Sequence, residues 1–312
     1  FSEVFVYHPK FKINDKKTFF LILTSHLEIF HFAYYTLNRL GIPLITYYMD
    51  DWMSTISKSW LTDNSMSFVK KTLTDSIGII LISKGLEKSL VAQYGGLSKK
   101  VLIVHNPVSV HDHEERVLSN DYQKLRIVYT GSIWPMHLDA IVFLARAVSL
   151  LRGQGIAVDF IIYGKPVFWD TYKNIFSPLG VEYGGFIDYN EMHKVLQGAS
   201  ICLLATSFLA EYAAYAKTSL QTKITDYMAA GKPILSLGPD YAIGHEFVNQ
   251  YQCGYCIQDN EPSLIAEKLV YLSRNQGLLS DMGVRSLNAV KENFSKDIVQ
   301  KKLYRYLNDL SN

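Results

Sequence analysis

Short runs of β-branched and aromatic residues alternate along this chain with longer segments whose apolar positions recur every three or four residues. Strands buried on both faces read as continuous apolar runs, and the helices covering them read as stripes. The alternation therefore predicts parallel sheets with crossover helices. In the first third, strands are expected over 18–25, 43–49, 77–82 and 101–104. Helices are expected over 27–40, 65–74 and 84–94, with Gly41, Pro43, Gly95 and Gly96 as stops. From Ser109 to Lys124 the sequence turns polar and loses its period, around His111, Asp112, His113, Glu114, Glu115 and Arg116, which marks a linker. A second α/β series follows. Its strands fall at 125–130, 158–163, 181–183, 200–205 and 233–237, and its helices at 138–152, 169–179, 191–197, 220–230, 261–275 and 278–293, with a last helix over 297–310.

The length of 312 residues, at about 150 per domain, agrees with two units, 1–108 and 109–296. With 48% apolar and 19% charged residues, a disordered chain or a small disulfide scaffold is excluded. A net charge of +2 argues against a dedicated nucleic-acid binder, which needs a concentrated basic surface. No apolar run approaches the roughly 20 residues of a membrane span. Residues 1–17 lack the charged and apolar regions of a secretion signal, and the three cysteines suit a reducing compartment, so a cytoplasmic location is expected. Basic clusters at Lys10, Lys12, Lys16 and Lys17, and at Lys296, Lys301, Lys302 and Arg305, are solvated faces or contacts to anionic lipid on the inner face of a membrane.

The most informative stretch is 199–239, ASICLLATSFLAEYAAYAKTSLQTKITDYMAAGKPILSLGP. A strand ends near Thr206 and a helix is expected to begin near Thr218, where Thr218 and Gln221 have the spacing of a capping box. Backbone amides at Thr218, Ser219 and Leu220 and the positive end of that helix would favour a phosphate. Lys223 and Asp226, three apart, share a face. An aspartate there can accept two hydrogen bonds from a vicinal diol such as ribose, and the lysine can serve an anion. The plain alternative is a surface Lys–Asp pair on an amphipathic helix.

The run 223–233, KITDYMAAGKP, resembles the signature of glycosyltransferase family 4, the group 1 glycosyltransferases. The resemblance implies an α/β GT-B fold, two Rossmann-like domains facing a cleft, with a nucleotide sugar bound in the C-terminal domain. In the family's Glu-x7-Glu motif the second carboxylate holds ribose, which puts Asp226 there. The first position falls on Thr218, a departure, with Glu211 as the nearest substitute. IVYTGSIWPMHLDAI at 127–141 is similar to the family's glycine turn. Gly131 would let backbone approach a pyrophosphate, but Ser132 and His137 stand where the family often has cations, so Lys165, Lys217 or Lys223 must supply that charge. The segments 181–204 and 101–108, VLIVHNPV, also fit in order and spacing. The family implies retention of anomeric configuration without a metal or cofactor, and a closing helix, 297–310, that crosses back onto the first domain.

In the first domain Asp50 and Asp51 follow a strand at its carboxyl end, where a carboxylate can bind an acceptor hydroxyl or stabilise an anomeric cation. Asp51 is the first candidate and Asp50 the second, unless one caps the next turn. His26 would line the acceptor side of the same cleft or serve a structural role. Cys253 and Cys256 have redox or zinc spacing, but the chain holds no second ligand pair for them. His111 and His113 read as solvent-exposed. The expected activity is glycosyl transfer from a nucleoside diphosphate sugar to a saccharide or lipid-linked acceptor, in bacterial polysaccharide or glycolipid synthesis. The competing reading is a nucleotide-sugar-binding module that has lost catalysis. A dehydrogenase ranks far lower, since no G-x-G-x-x-G follows a strand. The first domain is short for this fold and begins at Phe1, so its start, including a first strand and glycine-rich loop, is expected to be missing.

Overall fold

The computed structural model describes residues 19–23, 34–39, 41–51, 60–97, 100–109 and 124–311. The first sheet holds β1 (Phe19–Leu23), β2 (Leu44–Tyr48), β3 (Gly78–Leu81) and β4 (Lys100–Ile103), all parallel and in sequential order. Between them run helices α1 (34–39), α2 (Trp60–Asp75) and α3 (Lys84–Tyr94). The second sheet is also wholly parallel. Its strands are β5 (Leu125–Thr130), β6 (Val158–Tyr163), β7 (Glu182–Gly185), β8 (Ile201–Ala205), β9 (Ile234–Leu237) and β10 (Gly254–Ile257), in the order β10-β9-β8-β5-β6-β7.

That order fixes where a ligand can enter. The chain builds outward from β5 through β6 to β7, then returns to the other side of β5 and builds outward through β8, β9 and β10. The loops after β5 and β8 therefore leave in opposite directions, and the crevice between them opens at the carboxyl end of the sheet. Helices α4 (Pro135–Gly153) and α10 (Pro262–Arg274) cover one face with Ile141, Leu144, Val148, Ile265 and Leu269. The other face carries α8 (Lys223–Ala229) and α9 (Ile243–Tyr251), with Tyr227, Met228, Phe247 and Val248 at its core. The remaining helices are α5 (Pro166–Phe176), α6 (Tyr189–Gln197), α7 (Ala213–Thr218), α11 (Gln276–Ala289) and α12 (Lys296–Ser311).

The two halves meet through hydroxyls and bare backbone. Ser83 caps α3, accepting from Leu86 N at 3.0 Å, and donates to the Thr218 carbonyl at 2.6 Å across the interface. Gly85 lies directly on the Lys217 carbonyl, where a Cβ has no room. Ser219 Oγ donates to Asp50 Oδ1 at 2.8 Å. Lys88 and Glu246 add an exposed pair at 3.4 Å, which contributes little. Two stretches of chain cross between the halves side by side: Val108 N donates to Phe294 O (3.0 Å), and Lys296 N donates to Val108 O (3.1 Å). Beyond that crossing α12 packs on the first sheet. Tyr306 Oη donates to Ile79 O and Lys100 O (3.2 and 2.9 Å), and Tyr306 and Leu310 fill the space left by Gly78.

Several expected boundaries move. The helix placed over 220–230 is α8, only seven residues from Lys223, and α7 occupies the chain before it. The helix placed over 169–179 starts at Pro166, which pre-sets the first turn, and ends in a 3₁₀ turn at Ser177–Leu179. The helix expected over 278–293 stops at Ala289 and widens into a π turn, Val290–Phe294, before the crossing. Neither α9 nor β10 was expected: nine and four residues of mixed period give too weak a pattern. The positions of His26, His111, His113 and the lysines of 10–17 lie outside the described residues.

Tyr306→Phe should cost about 1 kcal/mol, the worth of a buried hydrogen bond, because it removes the donor that ties α12 to β3 and β4. Urea unfolding of the pure protein measures this; an unchanged midpoint would show that α12 is held by apolar packing alone.

Candidate functional site

At the end of β5 the chain turns through Gly131, whose φ of +103° excludes an ordinary side chain. Its N–H donates to Tyr163 O at 2.8 Å, and a Cβ on Gly164 would stand 2.6 Å from the Gly131 carbonyl. Gly164 N in turn donates to Gly185 O at 3.0 Å. The loops after β5, β6 and β7 are thus stacked backbone on backbone on one side of the crevice, with Gly131 exposed at its edge.

Lys223 supplies the charge beside it. The stem is partly exposed, but Nζ is buried, has no hydrogen-bond partner, and sits 3.6 Å from the centre of the Tyr129 ring. It also lies 3.5 Å from where a Cβ on Gly131 would be. Burial pulls the ammonium down to about pKa 7, while the ring face offsets part of that penalty. Tyr129 is itself fixed, donating to Ser132 O at 2.8 Å and lying 3.3 Å from His137 Nδ1. His137 is buried and its pKa falls to about 3, first from burial and then from the Lys223 charge; its Nε2 has no partner. His137 is therefore a neutral member of the wall and cannot replace the family's second cation.

One turn along α8, Asp226 is half-buried and accepts from Tyr189 Oη at 3.1 Å. Burial raises its pKa, and the Tyr189 bond opposes the rise. Lys223 and Asp226 form no ion pair, so the surface-pair reading of their spacing does not hold. Their placement depends on Tyr227, which the sequence reading passed over: its hydroxyl accepts from Thr130 N at 2.9 Å and Thr130 Oγ1 at 3.1 Å. That contact pins α8 to the end of β5 and sets both ionisable side chains around Gly131. The signal was in the signature itself, a tyrosine between Asp226 and the small residues Ala229, Ala230 and Gly231.

The capping box is corrected. Thr218 ends α7, its Oγ1 bonds back to Ala214 O at 2.9 Å, and it is fully buried. Gln221 instead donates to Ala205 O at 2.6 Å. Ser219 faces Asp50, and Leu220 packs inside. The hydroxyls at this junction are spent on α7 and on the first domain, so none caps α8.

The two candidate acids of the first domain separate. Asp51 is only 4% exposed and accepts from Ser89 Oγ (2.7 Å) and Gln93 Nε2 (3.0 Å) of α3. Asp50 is exposed at the interface, and its charge adds to burial in raising Tyr215 to about 12. Glu211 is exposed in a 3₁₀ turn, Ala210–Tyr212, beside Tyr212. Lys165 is exposed at the start of α5, and Lys217 lies 4.9 Å over the Tyr241 ring. Cys253 and Cys256 are drawn up to about 12 and about 11 by burial, far from a reactive thiolate. Among the described residues no group of three or more His, Cys, Asp or Glu could hold a metal, and no helix is long and apolar enough to cross a membrane.

Residues 124–275 match the family model described as glycosyl transferases group 1. No curated protein matches the chain by sequence. Among solved structures, TarM of S. aureus aligns at 17% identity with a TM-score of 0.65, covering 88% of this chain and 51% of its own. HepE of Anabaena, solved in complex with UDP, aligns at 11% identity with a TM-score of 0.71, covering 93% of this chain and 78% of its own. The sucrose-phosphate synthase of Thermosynechococcus elongatus aligns at 12% and 0.67, over 88% and 70%. The chain thus spans about half the length of TarM. These are GT-B glycosyltransferases, and the two parallel sheets seen here are the arrangement they share. Residues 124–275 thus form a domain similar to the group 1 glycosyltransferases, and the fold around it is the one these structures share.

Proposed function

We propose that the protein transfers a glycosyl group from a nucleoside diphosphate sugar to a hydroxyl acceptor. The observation carrying this is a buried ammonium without a counter-ion, Lys223, set against bare backbone at Gly131, with a carboxylate, Asp226, one turn away. A diphosphate supplies the missing anion, and a ribose diol fits the carboxylate. HepE was solved with UDP and with UDP-glucose, and TarM with UDP and an α-GlcNAc-glycerol, so a uridine nucleotide and a saccharide acceptor are the first ligands to try.

In this reading Asp226 orients the ribose, and Gly131 and Ser132 bring main chain to the phosphates. Protonated Lys223 stabilises the diphosphate as the bond from its oxygen to the anomeric carbon breaks. Lys165 adds charge from the rim. The acceptor oxygen bonds to the anomeric carbon on the face the diphosphate leaves, and its proton passes to a departing phosphate oxygen. Configuration is retained and the charge is met by lysine, without metal or cofactor. Of the two acids we assign Asp50, exposed beside Ser219, to face the reacting sugar, because Asp51 is buried and bonded to α3. Glu211 is held in reserve as a donor-sugar contact. The setting we infer is bacterial polysaccharide or glycolipid synthesis in the cytoplasm, with the basic face of α12 available to a membrane surface. The alternative, a binding module without turnover, is favoured by Thr218, whose buried hydroxyl cannot stand in for the family's first carboxylate.

Calorimetry with a panel of nucleoside diphosphates, followed by turnover with saccharide and lipid-linked acceptors, tests the whole reading. Asp226→Ala should weaken nucleotide binding by about 10- to 100-fold, the worth of one or two charged hydrogen bonds; unchanged affinity would remove the ribose assignment. Between pH 7 and about 10 the unfolded chain carries a proton on Lys223 that the folded chain has given up. Stability without ligand should therefore rise with pH across that window, and Lys223→Met should abolish the slope. At pH 8 diphosphate binding should take up a proton in the wild type and none in the variant, read from binding enthalpies in buffers of different ionisation heat. Asp50→Asn should lower turnover by about tenfold or more with little change in melting. Asp51→Ala should do the reverse, losing about 1–3 kcal/mol of stability.

A further inference from the structure

A cavity of about 190 Å³ lies where the two halves meet, and none of Gly131, Lys223 or Asp226 lines it. Lys84 and His105 reach it from the first half, Glu246, Phe247 and Gln250 from α9, and Asn293, Phe294 and Lys302 from the crossing and α12. The ring of His105 is gripped edge-on by Phe247 and Phe294, each centred 5.3 Å away, and its Nδ1 is buried without a partner. Burial and the Lys302 charge draw this imidazole down to about pKa 4, so it is neutral and offers one uncommitted polar edge. Two ammonium groups face one carboxylate here, and that carboxylate is already turned to Lys88 at 3.4 Å.

These walls define a ligand chemistry. A monocarboxylate would answer only one of the two lysines, whereas a phosphate monoester carries close to two charges at neutral pH. A cavity of about 150 Å³ is known to hold benzene, so this one has space for a single six-membered ring with a substituent. Phe247 and Tyr251 offer apolar faces to such a ring, and Gln250 and Asn293 offer amides to its hydroxyls. We propose that this cavity is a second ligand site, separate from the Gly131 crevice, that takes a single-ring organic phosphate of the sugar-phosphate class, its phosphate on Lys84 and Lys302.

The test is calorimetry of the full chain with glucose 6-phosphate, glucose 1-phosphate and inorganic phosphate, each with and without saturating UDP. Wild type is compared with Lys84→Glu, Lys302→Glu and Asp226→Ala. Both lysines are exposed, and an unshifted melting curve confirms that each variant is folded. A glucose phosphate should bind one per chain, about tenfold or more weaker in either lysine variant. UDP and Asp226→Ala should leave that binding unchanged, so a failure of the donor-site reading would not affect this one. Displacement by UDP, equal binding in both lysine variants, inorganic phosphate binding as tightly as the sugar phosphates, or no binding at millimolar concentration would each overturn the proposal.

Discussion

A lysine ammonium held out of water with no carboxylate beside it is the constraint around which the second domain is arranged. Desolvation alone would expel it, yet its Nζ lies over the Tyr129 ring and is closed in by the turn at Gly131. A side chain at Gly131 would be strained by the positive φ, and its Cβ would touch the amine at 3.5 Å. The Tyr227 contact to Thr130 ties α8, which carries both Lys223 and Asp226, to the end of β5. Such an arrangement is costly without ligand, and sites that hold perturbed groups in a crevice are commonly functional ones.

The same economy of polar groups shapes the contact between the halves. Ser83 serves as helix cap and as cross-domain donor at once, and Ser219 reaches Asp50 from the far side. Gly85 admits the Lys217 carbonyl directly. These contacts are few and directional, so the interface between α3 and α7 is specified by hydroxyl and carbonyl positions. The firm connection lies elsewhere, in the paired crossings at Val108 and Ser295 and in α12, whose apolar side joins Ile45 and Ile80 of the first sheet.

Sequence alone determined the alternation of strands and helices, the two-sheet architecture and the importance of the run around Lys223 and Asp226, because buried parallel strands and small-residue helix ends leave their mark on local composition. It could not determine that Thr218 closes one helix instead of opening another, since a hydroxyl four residues from a carbonyl and a hydroxyl three residues from an amide look alike in one dimension. Nor could it separate Asp50 from Asp51: adjacent residues on a strand end point opposite ways, and only the position of α3 decides which is buried. The spacing of Lys223 and Asp226 suggested an ion pair, and tertiary packing denied it by burying the amine on Tyr129, a residue almost a hundred positions earlier in the chain. Local pattern records what each element is made of. The charge state and reach of a side chain depend on what the rest of the fold brings against it, and that is decided only when the sheet, its helices and the opposite domain close together.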